Sequence, residues 1–258
     1  MRELQIPPED EIMVVEAARR LTDEMVCFVG IGLPSAAALL AQGTHAPNLY
    51  LVYESGTLGP RPGAIPLSVA DDQLALTAAT IVSVPEIFNY WLQPGRIDLG
   101  LLGTAQIDRF ANLNSTVVGE YEHPTVRLPG AGGAPEIVAS CKAVVVMVRQ
   151  SRRTFVDRVD FVTSFGHGAG NDERRRFGFV GKGPMVIVTD LGVYEPHPER
   201  KELVLTMLHP GVTEEQAKAA TGWELVVAED FERTEPPSEI ELAMIRRLNE
   251  REPGSVAG

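Results

Sequence analysis

Apolar residues at Ile12, Val15, Ala18 and Leu21 recur at helical spacing and predict an amphipathic helix over 11–21. Met25-Val26-Cys27-Phe28-Val29 follows as an unbroken apolar run too short for a helix, the pattern of a strand buried on both faces. Gly30-Ile31-Gly32-Leu33-Pro34-Ser35 reads as a turn, and the strong helix formers from Ala36 to Gln42 predict a second helix with Gly43 as its C′ glycine. Leu49 to Tyr53 is the next strand, and Glu54-Ser55-Gly56 leaves its C-terminal end. Further strands are predicted at 79–84, 97–102, 143–148, 159–163, 185–189 and 203–207. Their alternation with helical stretches predicts an α/β fold, a mostly parallel sheet with flanking helices. Thr213 opens the last clear helix with a capping box to Gln216, and Gly222 closes it. Residues 251–258 read as a fraying tail, and no repeat or low-complexity linker divides the chain, so one domain over 1–258 is expected.

Composition narrows the functional classes. The 258 residues are 44% hydrophobic and 22% charged, ordinary for a globular chain and long enough to bury a core without disulfide or metal staples. A formal net charge of −12 makes general binding to nucleic acid or anionic membranes unfavourable, although a local basic pocket could still hold a phosphate-bearing cofactor. Cys27 and Cys141 lie in apolar runs with no partner at short spacing, and are expected as reduced core thiols. The five histidines (His45, His123, His167, His197 and His209) are scattered singly, so no metal site is expected. There is no G-x-S-x-G nucleophile elbow. The N-terminal MRELQIPPEDEI has no signal-peptide core. No apolar run reaches the roughly 20 residues that span a bilayer. A cytoplasmic location is the expectation.

Glu54 invites three readings. Charged residues commonly end strands, where they cap a turn or pair with an arginine. Gly30-x-Gly32 after a strand, with Glu54 22 residues beyond Gly32, imitates the dinucleotide fingerprint of a nicotinamide-dependent oxidoreductase. Its third glycine would fall at Ser35, and Pro34 removes one donor that a pyrophosphate would use. In the third reading, Glu54 is a nucleophile at the end of a parallel strand, where open α/β sheets bind ligands. The small residues of Ser55-Gly56-Thr57-Leu58-Gly59 clear room for a thioester. The stretch 103–134 is dense in Gly, Asn and Pro, composed either of structural turns or of binding loops. Arg152-Arg153 and Glu173-Arg174-Arg175-Arg176 are basic clusters, read as solvated loop charge or as contacts for phosphates or a partner.

Five segments, in order, carry a resemblance. They are Gly30-Ile31-Gly32-Leu33-Pro34, Tyr53-Glu54-Ser55-Gly56, Gly103-Thr104-Ala105-Gln106-Ile107-Asp108, Asn112-Leu113-Asn114-Ser115-Thr116 and Gly130-Ala131-Gly132-Gly133-Ala134. His209-Pro210-Gly211-Val212-Thr213 through Thr221-Gly222 extends the likeness to most of the chain, from about Glu11 onward. Together they resemble the β subunit of family I coenzyme A transferases, the glutaconate branch above all. The resemblance implies a β-type half that pairs with an α-type subunit in a hetero-oligomer such as α2β2. It also implies acyl-CoA and a carboxylic acid as substrates, no permanently bound cofactor, and coenzyme A carried as a covalent glutamyl thioester.

Residue by residue, the likeness makes Glu54 the nucleophile, and Gly132 and Gly133 the loop whose N–H groups serve as an oxyanion hole. Gly30, Gly32, Ser55 and Gly56 fall in the coenzyme A site. Ser55 stands where the ketoacid branch has Asn, and Pro60-Arg61-Pro62 follows Gly59, which argues against a simple ketoacid substrate. An acyl-CoA hydrolase or decarboxylase on the same scaffold, the oxidoreductase, and a subunit that only binds metabolites remain as alternatives.

Overall fold

The computed structural model describes residues 5–250. The N-terminal part consists of α1 (Glu11–Ala18), β1 (Val26–Val29), α2 (Leu33–Gly43), β2 (Tyr50–Val52), β3 (Thr57–Leu58), α3 (Asp72–Thr77), β4 (Thr80–Ile81) and the single turn α4 (Val84–Glu86). The chain runs from α4 straight into a π-helical turn at Ile87–Leu92. The middle supplies β5 (Leu99–Gly103), β6 (Gln106–Ile107), β7 (Leu113–Asn114), β8 (Val117–Gly119), β9 (Pro124–Arg127), α5 (Ala134–Ser140) and β10 (Ala143–Met147). The C-terminal part holds α6 (Glu173–Arg176), β11 (Pro184–Val188), β12 (Gly192–Pro196), β13 (Leu203–Leu208), α7 (Glu214–Ala219), β14 (Val226–Arg233) and α8 (Glu239–Asn249).

Ten strands form one sheet in the order β14-β13-β12-β11-β10-β5-β1-β2-β3-β4. Its centre is parallel, from β2 through β1, β5 and β10 to β11. The flanks turn antiparallel at β11-β12-β13 and at β2-β3-β4, and β14 runs parallel to β13. Side chains alternate across the central strands, as the period of two requires. Cys27, Val29, Leu99, Leu101, Val145 and Met147 enter one core beneath α1, α2 and α8. Phe28, Leu102, Val144 and Val146 enter the other, with Ile137 and Val138 of α5 and Ile87 and Leu92 of the π turn. Burial on both faces explains why these strands read as continuous apolar runs.

Several elements depart from the sequence reading. The predicted strand at 159–163 is irregular: an isolated bridge from Leu113 to Ser164 lies just beyond it, and Asp160 and Thr163 hold it by bonds to Gln106, Gly119 and Ser115. The 79–84 strand shrinks to the two exposed residues of β4 at the sheet edge. Gly43 stays inside α2, where its missing side chain admits Met244 of α8; a Cβ there would lie 2.4 Å from the Met244 Cε. The predicted capping box of Thr213 and Gln216 is present, but α7 ends at Ala219, and Gly222 instead fits against the Phe155 carbonyl. The sequence reading misses α8, although Ser238 and Glu241 form the same kind of box. The tail predicted at 251–258 lies outside the described residues. Among those residues, no helix is long and apolar enough to cross a membrane. Cys27 and Cys141 are buried and free, and burial pushes both thiols up.

Candidate active site

Glu54 and Ser55 are the two central residues of a tight turn closed by the Gly56 N–H on the Tyr53 carbonyl at 3.1 Å. The turn joins β2 to β3, so Glu54 stands at the C-terminal end of a strand in the parallel part of the sheet. Tyr53 is anchored in the core; its hydroxyl donates to Ser35 Oγ at 3.3 Å, and Ser35 Oγ donates to the Gly30 carbonyl at 2.8 Å. The residue before Glu54 is thereby tied to the Gly30–Gly32 turn. Behind Ser55, Gly56 has φ +102° and lies so close to β4 that a Cβ would come within 2.0 Å of the Val82 carbonyl oxygen. No side chain fits there, and that packing holds the turn in place.

The glycine loop reaches the same point from the other core. The Gly130 N–H donates to the Ser115 carbonyl at 3.0 Å, and Ser115 Oγ donates to the Gly130 carbonyl at 2.9 Å. Thus fixed, the loop delivers Gly133 to the start of α5, where backbone N–H groups have no partner within the helix. The Gly133 N–H donates to Glu54 Oε2 at 3.1 Å. A Cβ on Gly133 would lie 2.7 Å from that oxygen, and one on Gly132 would lie 3.8 Å from it. A side chain at 133 would therefore displace the Glu54 carboxylate from this position.

The structure thus brings Glu54, Ser55, Gly132 and Gly133 around one cavity of about 360 Å³. Gly30, Gly32 and Gly56 lie outside its lining; Gly32, at φ +95°, is the N-cap of α2, and Gly30 continues the pairing of β1 with β5. Val69, Val84 and Phe88 complete the wall. Sequence reasoning missed them; Val84 lies within, and Phe88 two residues beyond, a Ser83–Glu86 capping box, a local signal that marks the start of their helical stretch. Among the described residues, no group of three or more His, Cys, Asp or Glu gathers to hold a metal.

Two larger cavities, of about 650 and 680 Å³, lie elsewhere. Their size does not outweigh the chemistry at Glu54, because the buried charged group of each, Arg174 in one and Asp108 in the other, is already engaged. In the first, the Arg174 guanidinium is buried and donates to the carbonyls of Gly181, Phe165, Gly166 and Val138. Burial lowers its pKa to about 10. This corrects the solvated reading for Arg174; Arg175 and Arg176 are exposed and pair with Asp172. In the second, Asp108 is enclosed by Asn112 and neighbouring N–H groups.

Residues 11–220 match the family model for coenzyme A transferase. The chain belongs to the coenzyme A transferase family. It is 54% identical, over 94% of its length and 93% of the relative, to the B subunit of 3-oxoadipate CoA-transferase from Pseudomonas knackmussii. It is 32% identical, over 95% of its length and 92% of the relative, to the B subunit of glutaconate CoA-transferase from Acidaminococcus fermentans. The crystal structure of the A. fermentans glutaconate coenzyme A-transferase matches the fold with a TM-score of 0.87 at 29% identity, over 95% of each chain. The glutaconate likeness expected from the motifs is present, and the likeness to the 3-oxoadipate enzyme is the greater of the two. In this CoA-transferase chain two of the five motifs, around Glu54 and around Gly132, line the cavity; Gly30, through Ser35, and Ser115 brace those two segments from behind.

Proposed function

We propose that the chain is the B-type subunit of an acyl-CoA:carboxylate CoA-transferase acting by a ping-pong reaction through Glu54, with a 3-oxo dicarboxylic acid of the 3-oxoadipate kind among its substrates; the 54% identity to the 3-oxoadipate relative outweighs the expectation, drawn from Ser55 and Pro60-Arg61-Pro62, against a keto acid. The observation that carries this reading is the hydrogen bond from the Gly133 N–H to Glu54 Oε2. It leaves Oε1 available, and aims a backbone donor at the place where charge changes hands. A Glu54 carboxylate oxygen attacks the thioester carbonyl carbon; the C–S bond breaks, the thiolate departs, and Glu54 and the acyl group form a mixed anhydride. The thiolate then attacks the Glu54 side-chain carbonyl carbon, expels the first acid as its carboxylate, and leaves coenzyme A on Glu54 as a thioester. The second acid runs the same two steps in reverse, so no proton or water is consumed. In each tetrahedral intermediate the Gly132–Gly133 backbone supplies donors for the oxyanion.

Water must be kept out, because anhydride and thioester both hydrolyse. Glu54 is only half-buried in this chain. On the elements that follow its turn, Leu76, Ile81, Val84 and Tyr90 expose 64%, 58%, 48% and 62% of their surfaces, on α3, the edge strand β4, α4 and the π turn, and Val84 shares its cavity. An apolar rim beside an unpaired edge strand supports an A-type partner as the cover, with a permanent interface of about 2,000 Å² or more. The similarity to proteins named as B subunits supports the same reading.

The test is to incubate the two-subunit enzyme with acyl-CoA and no acceptor acid, then map the label by peptide mass analysis. A coenzyme A adduct on the Tyr53-Glu54-Ser55 peptide is expected. An adduct on another residue, or none under turnover conditions, overturns the assignment. Full activity from this chain without a partner overturns the cover.

A further inference from the structure

The wall of the Glu54 cavity carries more information than the carboxylate chemistry uses. Among the described residues, Glu54 is the one charged side chain in its lining, and Val69, Val84 and Phe88 make the rest of the surface largely apolar. Phe88 stands on the π turn, where the Gln93 N–H reaches back five residues to the Phe88 carbonyl at 2.9 Å. A π turn holds one residue more than an α turn; it re-aims the side chains around it, and such turns concentrate at functional sites. Here its entry is held by Glu86 Oε2, which accepts from the Ser83 N–H at 2.8 Å and Ser83 Oγ at 2.7 Å. The Phe88 ring rests against Phe28 of β1, with centroids 6.3 Å apart. Its edge reaches the glycine loop: a Cβ on Gly133 would meet Phe88 Cζ at 3.1 Å and Glu54 Oε2 at 2.7 Å. Ring, glycine and carboxylate form one contact set.

The geometry points to Phe88, with Val69 and Val84, as the wall that receives the methylene chain of the acyl group and sets its length. This inference rests on Glu54 as the nucleophile. Any acyl group attacked by Glu54 must lie beside the Gly133 N–H, and so against the Phe88 ring. A cavity of about 360 Å³ suits a short acyl chain. It does not suit the phosphates of coenzyme A, since no cation lines it. Methylenes gain by leaving water against the ring and the two valines. A second carboxylate would lose its solvation there and face the charge of Glu54. In a dicarboxylic acyl group, the far carboxylate therefore extends past the wall to the cavity mouth.

The test uses the two-subunit enzyme and straight-chain acyl-CoA thioesters of increasing length, monocarboxylic and dicarboxylic. kcat/KM is measured for each, together with the glutamyl-CoA adduct by mass. Phe88→Ala should move the optimum to longer chains and change the ratio between neighbouring chain lengths by about tenfold. Phe88→Leu should fall between wild type and Phe88→Ala. Val84→Ala should act in the same direction with a smaller effect; Val84 is 48% exposed, so its truncation spares the core. An adduct that still forms with an unchanged length profile overturns the wall. A uniform loss for every thioester, or an equal rise in KM for all of them and for acyl-pantetheine, assigns the ring to the fold or to the pantetheine arm and also overturns it. Absence of the adduct in the wild type removes the nucleophile itself, a distinct failure.

Discussion

Asp108 and Glu54 are both carboxylates on turns that follow strands, and both lie in motifs of the same family, yet their surroundings differ. Asp108 Oδ1 accepts from the Phe110 N–H, the Asn112 N–H and Asn112 Nδ2, at 3.0, 3.0 and 3.1 Å. Asn112 Oδ1 in turn accepts from the N–H groups of Gly166 and Gly168. Asn114 does the same work one strand over, bonding Gln106, Val117 and Thr116. Burial raises the Asp108 pKa even against these bonds. Glu54 is half-buried, and among the described residues its one hydrogen-bond partner is Gly133. A carboxylate surrounded by donors is a structural pin. One with a single donor, an open side and a glycine loop at its edge retains capacity for a substrate.

Exchanging each carboxylate should separate the two roles. Glu54→Gln should abolish transfer, by at least about a thousandfold, while the melting temperature stays near wild type, because the side chain holds little of the fold together. Kinetics beside a thermal melt check this, and substantial residual transfer would return Glu54 to the role of a strand-end cap. Gly133→Ala keeps an ordinary φ but pushes a methyl into Glu54 and Phe88. It should lower kcat by about a hundredfold to a thousandfold, the range for one lost oxyanion donor, with KM less affected. Loss of activity only through unfolding would make the loop structural.

Asp108→Ala should do the reverse. It strands buried N–H donors and should cost about 2–4 kcal/mol of stability, read by denaturant titration, with the turnover of the folded fraction nearly intact. The pH response should also fall on the Asp108 side. His167 sits between the two glycines that bond Asn112, and its Nε2 lies 2.8 Å from the Pro184 carbonyl. Burial lowers its pKa from 6.5 to about 4. As the pH falls, the unfolded chain takes up this proton first, so the stabilisation is complete above about 6.5 and is lost on the way down through about 4. The loss should reach at most about 3 kcal/mol, and His167→Gln should flatten the stability profile over that window. An equal pH slope in the variant would assign the effect to another group, with His209, also lowered by burial, the first to test. Ser55→Ala should change transfer least, within about threefold, since among the described residues the hydrogen-bond partner of Ser55 Oγ is Thr57 Oγ1, at 3.5 Å.

The central strands were legible because burial on both faces writes itself as short apolar runs, and β1, β2, β5, β10, β11 and β13 all lie within the predicted stretches or one residue beyond them. The flanks were less so. β14, with its alternating Glu229-Asp230 and Glu232-Arg233 surface, has no such run, and β12 begins at Gly192 and ends at Pro196. At the site, Glu54 and the glycine pair were legible through chain order and motif. Val69, Val84 and Phe88 were not, because their role depends on what they face across space, and an apolar residue in a turn or a short helix has the same local pattern whether it meets core or substrate.

By itself the sequence determined the α/β class, the helix cap at Thr213, and the placing of a carboxylate on small residues at a strand end. Each of these depends on contacts within a few residues, where spacing and side-chain chemistry decide. Only the tertiary structure decided that Gly133, 79 residues from Glu54 along the chain, donates to it, and that Asn112 and Asn114 spend their amides on the frame. The parallel sheet sets the strand ends side by side in an order the chain does not follow, and hydrogen bonding then depends on which groups meet there, not on which are near in sequence.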